Sequence, residues 1–153
     1  MTKEELKRQV CAAIDAQREK IMEIGEWTLR HPETAFREWR TSAMVKEFFQ
    51  SLKLPVREPL AVTGCRADLK SGKPAPTVAL LGELDAIILP EHPYADSETG
   101  AAHACGHHAQ ITALLGAAIG LTSFNLKEFL SGNIALIAVP AEEHHPENYY
   151  EEL

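Results

Sequence analysis

Two short, uninterrupted apolar runs, Thr77-Val78-Ala79-Leu80-Leu81 and Ile134-Ala135-Leu136-Ile137-Ala138-Val139, bracket a segment that is apolar at helical spacing. Runs this short and without alternation read as central strands covered on both faces. Between them Ile111, Leu114, Leu115, Ala118 and Ile119 fall at helical intervals, and Ala113, Gly116, Ala117 and Gly120 form a second face of small residues. A helix apolar on two faces is buried and closely packed. Strand, buried helix, strand is a βαβ unit, so the two strands run parallel, adjacent or not. The fold class is therefore α/β, a layered sheet with parallel central strands and flanking helices.

The rest of the chain fits around that unit. Thr2 and Glu5 have capping-box spacing, and Leu6, Val10, Ile14, Ile21 and Ile24 follow at helical intervals, predicting one long helix that ends near His31-Pro32. Val45, Phe48, Phe49 and Leu52 predict a second amphipathic helix, capped by Ser42 or starting a turn earlier and stopped by Pro55. Val56, Leu60 and Val62, then Cys65, Ala67 and Leu69, alternate on either side of Thr63-Gly64, which predicts a hairpin. Ser71 to Pro76 is a polar loop. Trp27, Trp39 and the helical Phe residues are expected to pack, and Cys11 and Cys65 to sit in the core.

Charge and cysteine usage remove several function classes. With 15 Lys and Arg against 22 Asp and Glu, net −7 over 153 residues, and no basic cluster, the electrostatic footprint of a nucleic-acid partner is missing and none is expected. Cys11, Cys65 and Cys105 are odd in number and irregularly spaced, which argues for a reducing compartment and a cytoplasmic protein. The N-terminus is charged from Lys3 onward and lacks the apolar core of a secretory leader. The mainly apolar stretch Ala109 to Leu121 is too short to span a bilayer, so no membrane partner is expected.

Chemistry collects where the βαβ unit places strand ends. Glu83-Leu84-Asp85 ends the first buried strand, Ala141-Glu142-Glu143-His144-His145 ends the second, and His103-Ala104-Cys105-Gly106-His107-His108 leads into the helix between them. Parallel sheets bind ligands at that edge. Thiolate, imidazole and carboxylate are a borderline ligand set that suits Zn²⁺, with Mn²⁺ or Co²⁺ open where oxygen donors dominate. Cys105 stands at a helix N-terminus, where the dipole is expected to lower its thiol pKa. Gly106 lets the backbone turn so that Cys105 and His107 face one ion. Adjacent Glu142 and Glu143 point opposite ways, so one can ligate a metal while the other takes a proton from an activated water.

Plainer readings stand beside these. A lone cysteine is often a small core residue, a Glu-Glu pair is often a solvated one, and His144 and His145, candidates for accessory ligands, more often read as surface residues beside a proline. Glu83 and Asp85 can simply end a strand, with Asp85 orienting a ligand from behind. A thiol hydrolase using Cys105 and His107 is the weaker chemistry, because their spacing at a helix start favours joint ligation.

His103-Ala-Cys-Gly-His107, Gly82-Glu-Leu-Asp-Ala86, Pro140-Ala-Glu-Glu143 and His31-Pro32-Glu33 together resemble the metal-dependent amidohydrolases and metallopeptidases. That family includes aminoacylases, carboxypeptidase G-type enzymes, indoleacetyl-amino-acid hydrolases and aminobenzoyl-glutamate hydrolases, and the Gly-Glu-Leu-Asp-Ala variant is most similar to the last. The resemblance implies a zinc-peptidase-like catalytic domain with a two-metal site. Cys105 would be the bridging thiolate, His107 and Glu143 further ligands, Glu142 the general base and Asp85 the acidic residue behind the metals. It implies hydrolysis of the amide bond of small N-acyl amino acid or peptide substrates. His108 stands where many members have Asp or Asn, and His144-His145-Pro146 where many have a Gly-rich segment. Residues 1–153 resemble the first part of the catalytic domain only, without the lid/dimerisation domain and two downstream His ligands. The expectation is a half-site completed by a homo-oligomer or a complementary chain; the alternative is a non-catalytic remnant with partial metal binding.

Overall fold

A computed structural model describes residues 1–143 and residue 151. Among these residues four α-helices flank a four-stranded sheet. They are α1 (Lys3–Asp15), α2 (Arg18–Arg30), α3 (Trp39–Ser51) and α4 (His107–Thr122). The strands are β1 (Val56–Leu60), β2 (Gly64–Leu69), β3 (Thr77–Glu83) and β6 (Asn133–Val139), in the order β1-β2-β6-β3. Two short strands, β4 (Ile87–Ile88) and β5 (Ala101–Ala102), pair separately.

The βαβ reading holds in its essentials. β3 and β6 are parallel and adjacent, in register from Thr77 opposite Asn133 to Glu83 opposite Val139. β2 runs antiparallel to β6, and β1 antiparallel to β2, closing the expected hairpin. On one face of the sheet α4 buries Ile111, Leu114, Leu115 and Ala118 against Leu84, Leu136 and Ala138, while Val45 and Phe49 of α3 join the same core. A Cβ on Gly120 would stand 2.8 Å from Val10 Cγ1, so the small-residue face of α4 admits α1 at close range. Cys65 is buried in this core, as expected.

Four expectations need correction. The long N-terminal helix is two helices, because the hydrogen-bond ladder breaks after Ala16 and restarts at Gln17, and both pieces pack on α4. α3 takes the earlier of its two expected starts, three residues before Ser42, whose buried hydroxyl donates to the Thr63 carbonyl and does not cap. β3 is an edge strand among the described residues, with Val78 62% and Leu81 59% exposed, so its apolar run does not mark two covered faces here. Cys11 lies on the solvent side of α1, and Trp39 is 59% exposed at the start of α3. No helix among the described residues is long and apolar enough to cross a membrane.

Candidate metal centre

The parallel pair delivers its carboxyl ends to one edge. Glu83 is the last residue of β3, and Asp85 follows it by two residues. Beyond β6, Ala141 adopts a left-handed φ of 56°, which turns the chain back toward α4 before Glu142 and Glu143. Gly106, the N-cap of α4, has φ 94°, and no atom lies within 4 Å of where its Cβ would be. Backbone freedom, not space, is what that position requires. Cys105 and His107 stand on either side of that turn.

His107 is the hub. Its Nδ1 lies 2.8 Å from the Asp85 carbonyl oxygen and 3.4 Å from Asp85 Oδ1. Its Nε2 lies 2.9 Å from Glu83 Oε2 and 3.6 Å from one oxygen each of Glu142 and Glu143. Donor atoms of Cys105, His107 and Glu143 all fall within 4.8 Å of one another, and so do those of Glu83, His107 and Glu142. The structure thus brings Cys105, His107, Glu142 and Glu143 together. His144 and His145 lie outside the described residues.

Carboxylates dominate the electrostatics of the cluster. The Asp85 carboxylate at Nδ1, only partly opposed by burial, pushes His107 up to about 9. Burial works to raise Asp85, but His107 and the backbone N–H groups of Glu143 and Glu142 outweigh it and hold Asp85 below the usual carboxylate range. Cys105 moves opposite to the expectation from its helix end. Its thiol is exposed, and the adjoining Glu143 carboxylate, then burial, then the charges of Glu143, Glu142 and Glu83 raise its pKa. Negative neighbours within a few Å outweigh a partial helix-end charge.

The residues present fit a divalent ion. Glu143 Oε1 is buried without a hydrogen-bond partner, an arrangement that is costly unless a cation or donor completes it. Sulfur, imidazole nitrogen and carboxylate oxygen form a zinc-type donor set, and Asp85 behind His107 supplies the usual carboxylate–histidine support. Asp85 is fully buried, with its carboxylate against His107 and the Glu143 backbone.

The sequence alone does not single out Glu83 or Glu38. Glu83 faces the site, and its two-residue spacing from Asp85 at a strand end was the available signal. Glu38 is fully buried, and nothing local to it announces that. His103 is also buried, with both ring nitrogens unpartnered, and burial first, then the neighbouring imidazoles, lower it to about 4.

The sequence profile of Peptidase family M20/M25/M40 matches residues 79–149. The chain is 39% identical over 116 residues to an IAA-amino acid hydrolase (ILR1-like 6) of Arabidopsis thaliana, covering 74% of this chain and 24% of that protein. It is 33% identical over 144 residues to thermostable carboxypeptidase 1 of Saccharolobus solfataricus, covering 85% and 35%. Among solved structures, the YXEP protein of Bacillus subtilis, a dinuclear metal-binding peptidase, superposes with a TM-score of 0.73 at 25% identity, over 84% of this chain and 36% of that one. The chain spans about a third or less of the length of these relatives.

Proposed function

The chain belongs to peptidase family M20/M25/M40, and from that premise we propose that it carries metal-binding residues of a hydrolase acting on amide bonds of N-acyl amino acids or peptide-like compounds, aminobenzoyl-glutamate among them. The observation that carries this reading is the meeting of Cys105, His107 and Glu143 around an unpartnered carboxylate oxygen at the carboxyl edge of parallel strands. Those three residues would hold a divalent cation, Zn²⁺ or Mn²⁺. Such a cation supplies Lewis acidity toward a carbonyl oxygen and toward water.

The residues divide the remaining work. Glu142, whose side chain is 51% exposed, is the carboxylate open to a substrate and is the proposed general base. It would accept the proton of the attacking water and return it to the leaving amine. Glu143, at 14% exposure, is the better ligand. Asp85 would hold His107 and the Glu143 backbone in place. Cys105 as a bridging thiolate of a two-metal site remains part of the proposal, with Glu83 available to the second position.

The described residues bring one imidazole into the cluster, so we expect weak metal binding and little hydrolysis from the 153-residue chain alone. The open edge of β3 supports pairing with a second copy or a complementary chain. The free cysteines, two of them exposed, support a reducing compartment. One observation favours a second, non-catalytic reading: the 2.9 Å Glu83–His107 pair satisfies Nε2 without any ion. Zn²⁺ titration of the 153-residue chain tests the site itself, and amine release from N-acyl amino acids by the loaded chain separates the two readings. Binding that is lost in Cys105→Ser, with slow hydrolysis lost in Glu142→Ala, supports the hydrolase site; no binding contradicts the site, and binding with no hydrolysis supports the non-catalytic reading.

A further inference from the structure

The loop that carries Glu142 and Glu143 is held by two buried carboxylates from different parts of the chain. Asp85 Oδ2 accepts the N–H of Glu143 at 2.8 Å, and Glu38 Oε1 accepts the N–H of Ala141 at 3.0 Å. One bond lies on each side of Glu142. Between them they fix a segment whose first residue has a left-handed φ without being glycine, a conformation that persists only when its surroundings enforce it.

Glu38 is free for this task because another residue has taken its local one. It occupies the N-cap position of α3, yet its side chain makes no capping bond. Glu33 caps that helix instead, accepting the N–H groups of Arg40 at 3.1 Å and Thr41 at 2.8 Å. The backbone carbonyl of Glu33 also accepts the N–H of Ala86, immediately after Asp85. The Glu38 carboxylate turns inward, where Thr63 Oγ1 donates to its Oε2 at 2.5 Å and Ser42 holds the Thr63 carbonyl. The α3 end, the β1–β2 turn and the loop after β6 are thereby tied together through one side chain that is 0% exposed.

We propose that Glu38 is a positioning residue of the metal site, aiming Glu142 and Glu143 at His107 by fixing the Ala141 amide. The inference rests on the reading of those two glutamates as the working carboxylates. Glu38 touches no donor atom of the cluster, so its effect passes through the backbone. Partners that orient ligands from behind typically change metal affinity ten- to a hundredfold when altered.

Glu38→Gln and Glu38→Asp in the 153-residue chain separate positioning from charge. Gln keeps the reach and an acceptor for Ala141, while its amide can donate to the Thr63 oxygen. Asp keeps the charge but falls one methylene short. Titration with Co²⁺, followed by the thiolate charge-transfer band, is expected to show Glu38→Gln within about threefold of wild type and Glu38→Asp about ten- to a hundredfold weaker. Amide hydrogen exchange on the metal-free chain is expected to show Ala141 and Glu143 exchanging faster in Glu38→Asp and unchanged in Glu38→Gln. Equal binding by wild type and both variants, or weaker binding by Glu38→Gln than by Glu38→Asp, overturns the inference and leaves the metal site standing. A wild type that binds no Co²⁺ overturns the functional reading, and the exchange data then decide the anchoring of the loop by themselves. If Glu38→Asp does not fold, loss of Ala141 protection in Glu38→Gln overturns the inference and its retention supports it.

Discussion

The N–H of Glu143 donates to Asp85 Oδ2 at 2.8 Å, across 58 positions of sequence. Asp85 also lies at Nδ1 of His107, so one buried carboxylate touches two of the three proposed ligands from behind. The pairing fixes the distance between the loop after β6 and the start of α4.

Asp85→Ala is expected to destabilise the chain by about 2–3 kcal/mol, because it leaves a buried N–H and a crowded imidazole without their acceptor. Asp85→Asn keeps an acceptor but loses the charge, and should lose less stability while weakening metal binding about tenfold or more. Urea unfolding and equilibrium dialysis with Zn²⁺ check the two effects separately.

Two carboxylates outside the cluster should titrate against stability with opposite sign. At Asp68, burial works to raise the pKa, but Arg66 at 2.6 Å and Arg57 at 3.2 Å outweigh it and hold the group below the usual range. Its contribution is complete above the ordinary carboxylate pKa and is lost as pH falls through the depressed value. Glu38 is raised above 4.5 by burial, despite the bond from Thr63. The folded chain holds that proton more tightly than the unfolded one, so its contribution is complete below 4.5 and is lost as pH rises through the raised value. Thermal melts from about pH 3 to pH 8 should show the stability of Glu38→Gln gaining on wild type toward neutral pH. The deficit of Asp68→Asn should shrink toward acid. Curves parallel to wild type contradict both.

Gly106→Ala is expected to cost about 1–2 kcal/mol, since an L side chain at φ 94° meets its own backbone although the space around it is open. Gly106→Asn, better tolerated in left-handed backbone, should cost less. A melting temperature unchanged in Gly106→Ala would mean that the turn between Cys105 and His107 is not held.

How much of this could be read in the sequence varied with how local the cause was. β6 follows from an uninterrupted apolar run, and α4 and the β1–β2 hairpin from periodicity, all of them properties of consecutive residues. Cys105, His107 and the Glu142-Glu143 pair stood out because ligating side chains are concentrated at the ends of apolar runs. Glu38 did not, because its partner Ala141 is 103 positions away and a charge at a helix start is ordinarily a solvated one. The exposure of Val78 and Leu81 was also hidden: an apolar run records an affinity for cover, not which chain provides it. The break at Ala16-Gln17 has neither Gly nor Pro to mark it. The rise of the Cys105 pKa depended on where Glu143 arrives, which only the fold decides.

X-ray absorption at the zinc edge of the metal-loaded 153-residue chain tests the metal centre most directly. Cys105, His107 and Glu143 together predict one sulfur at about 2.3 Å and nitrogen or oxygen neighbours at about 2.0–2.2 Å, with the sulfur lost in Cys105→Ser. A first shell of oxygen and nitrogen alone in the wild type would contradict the site, because Cys105 would then stand beside the cluster without joining it.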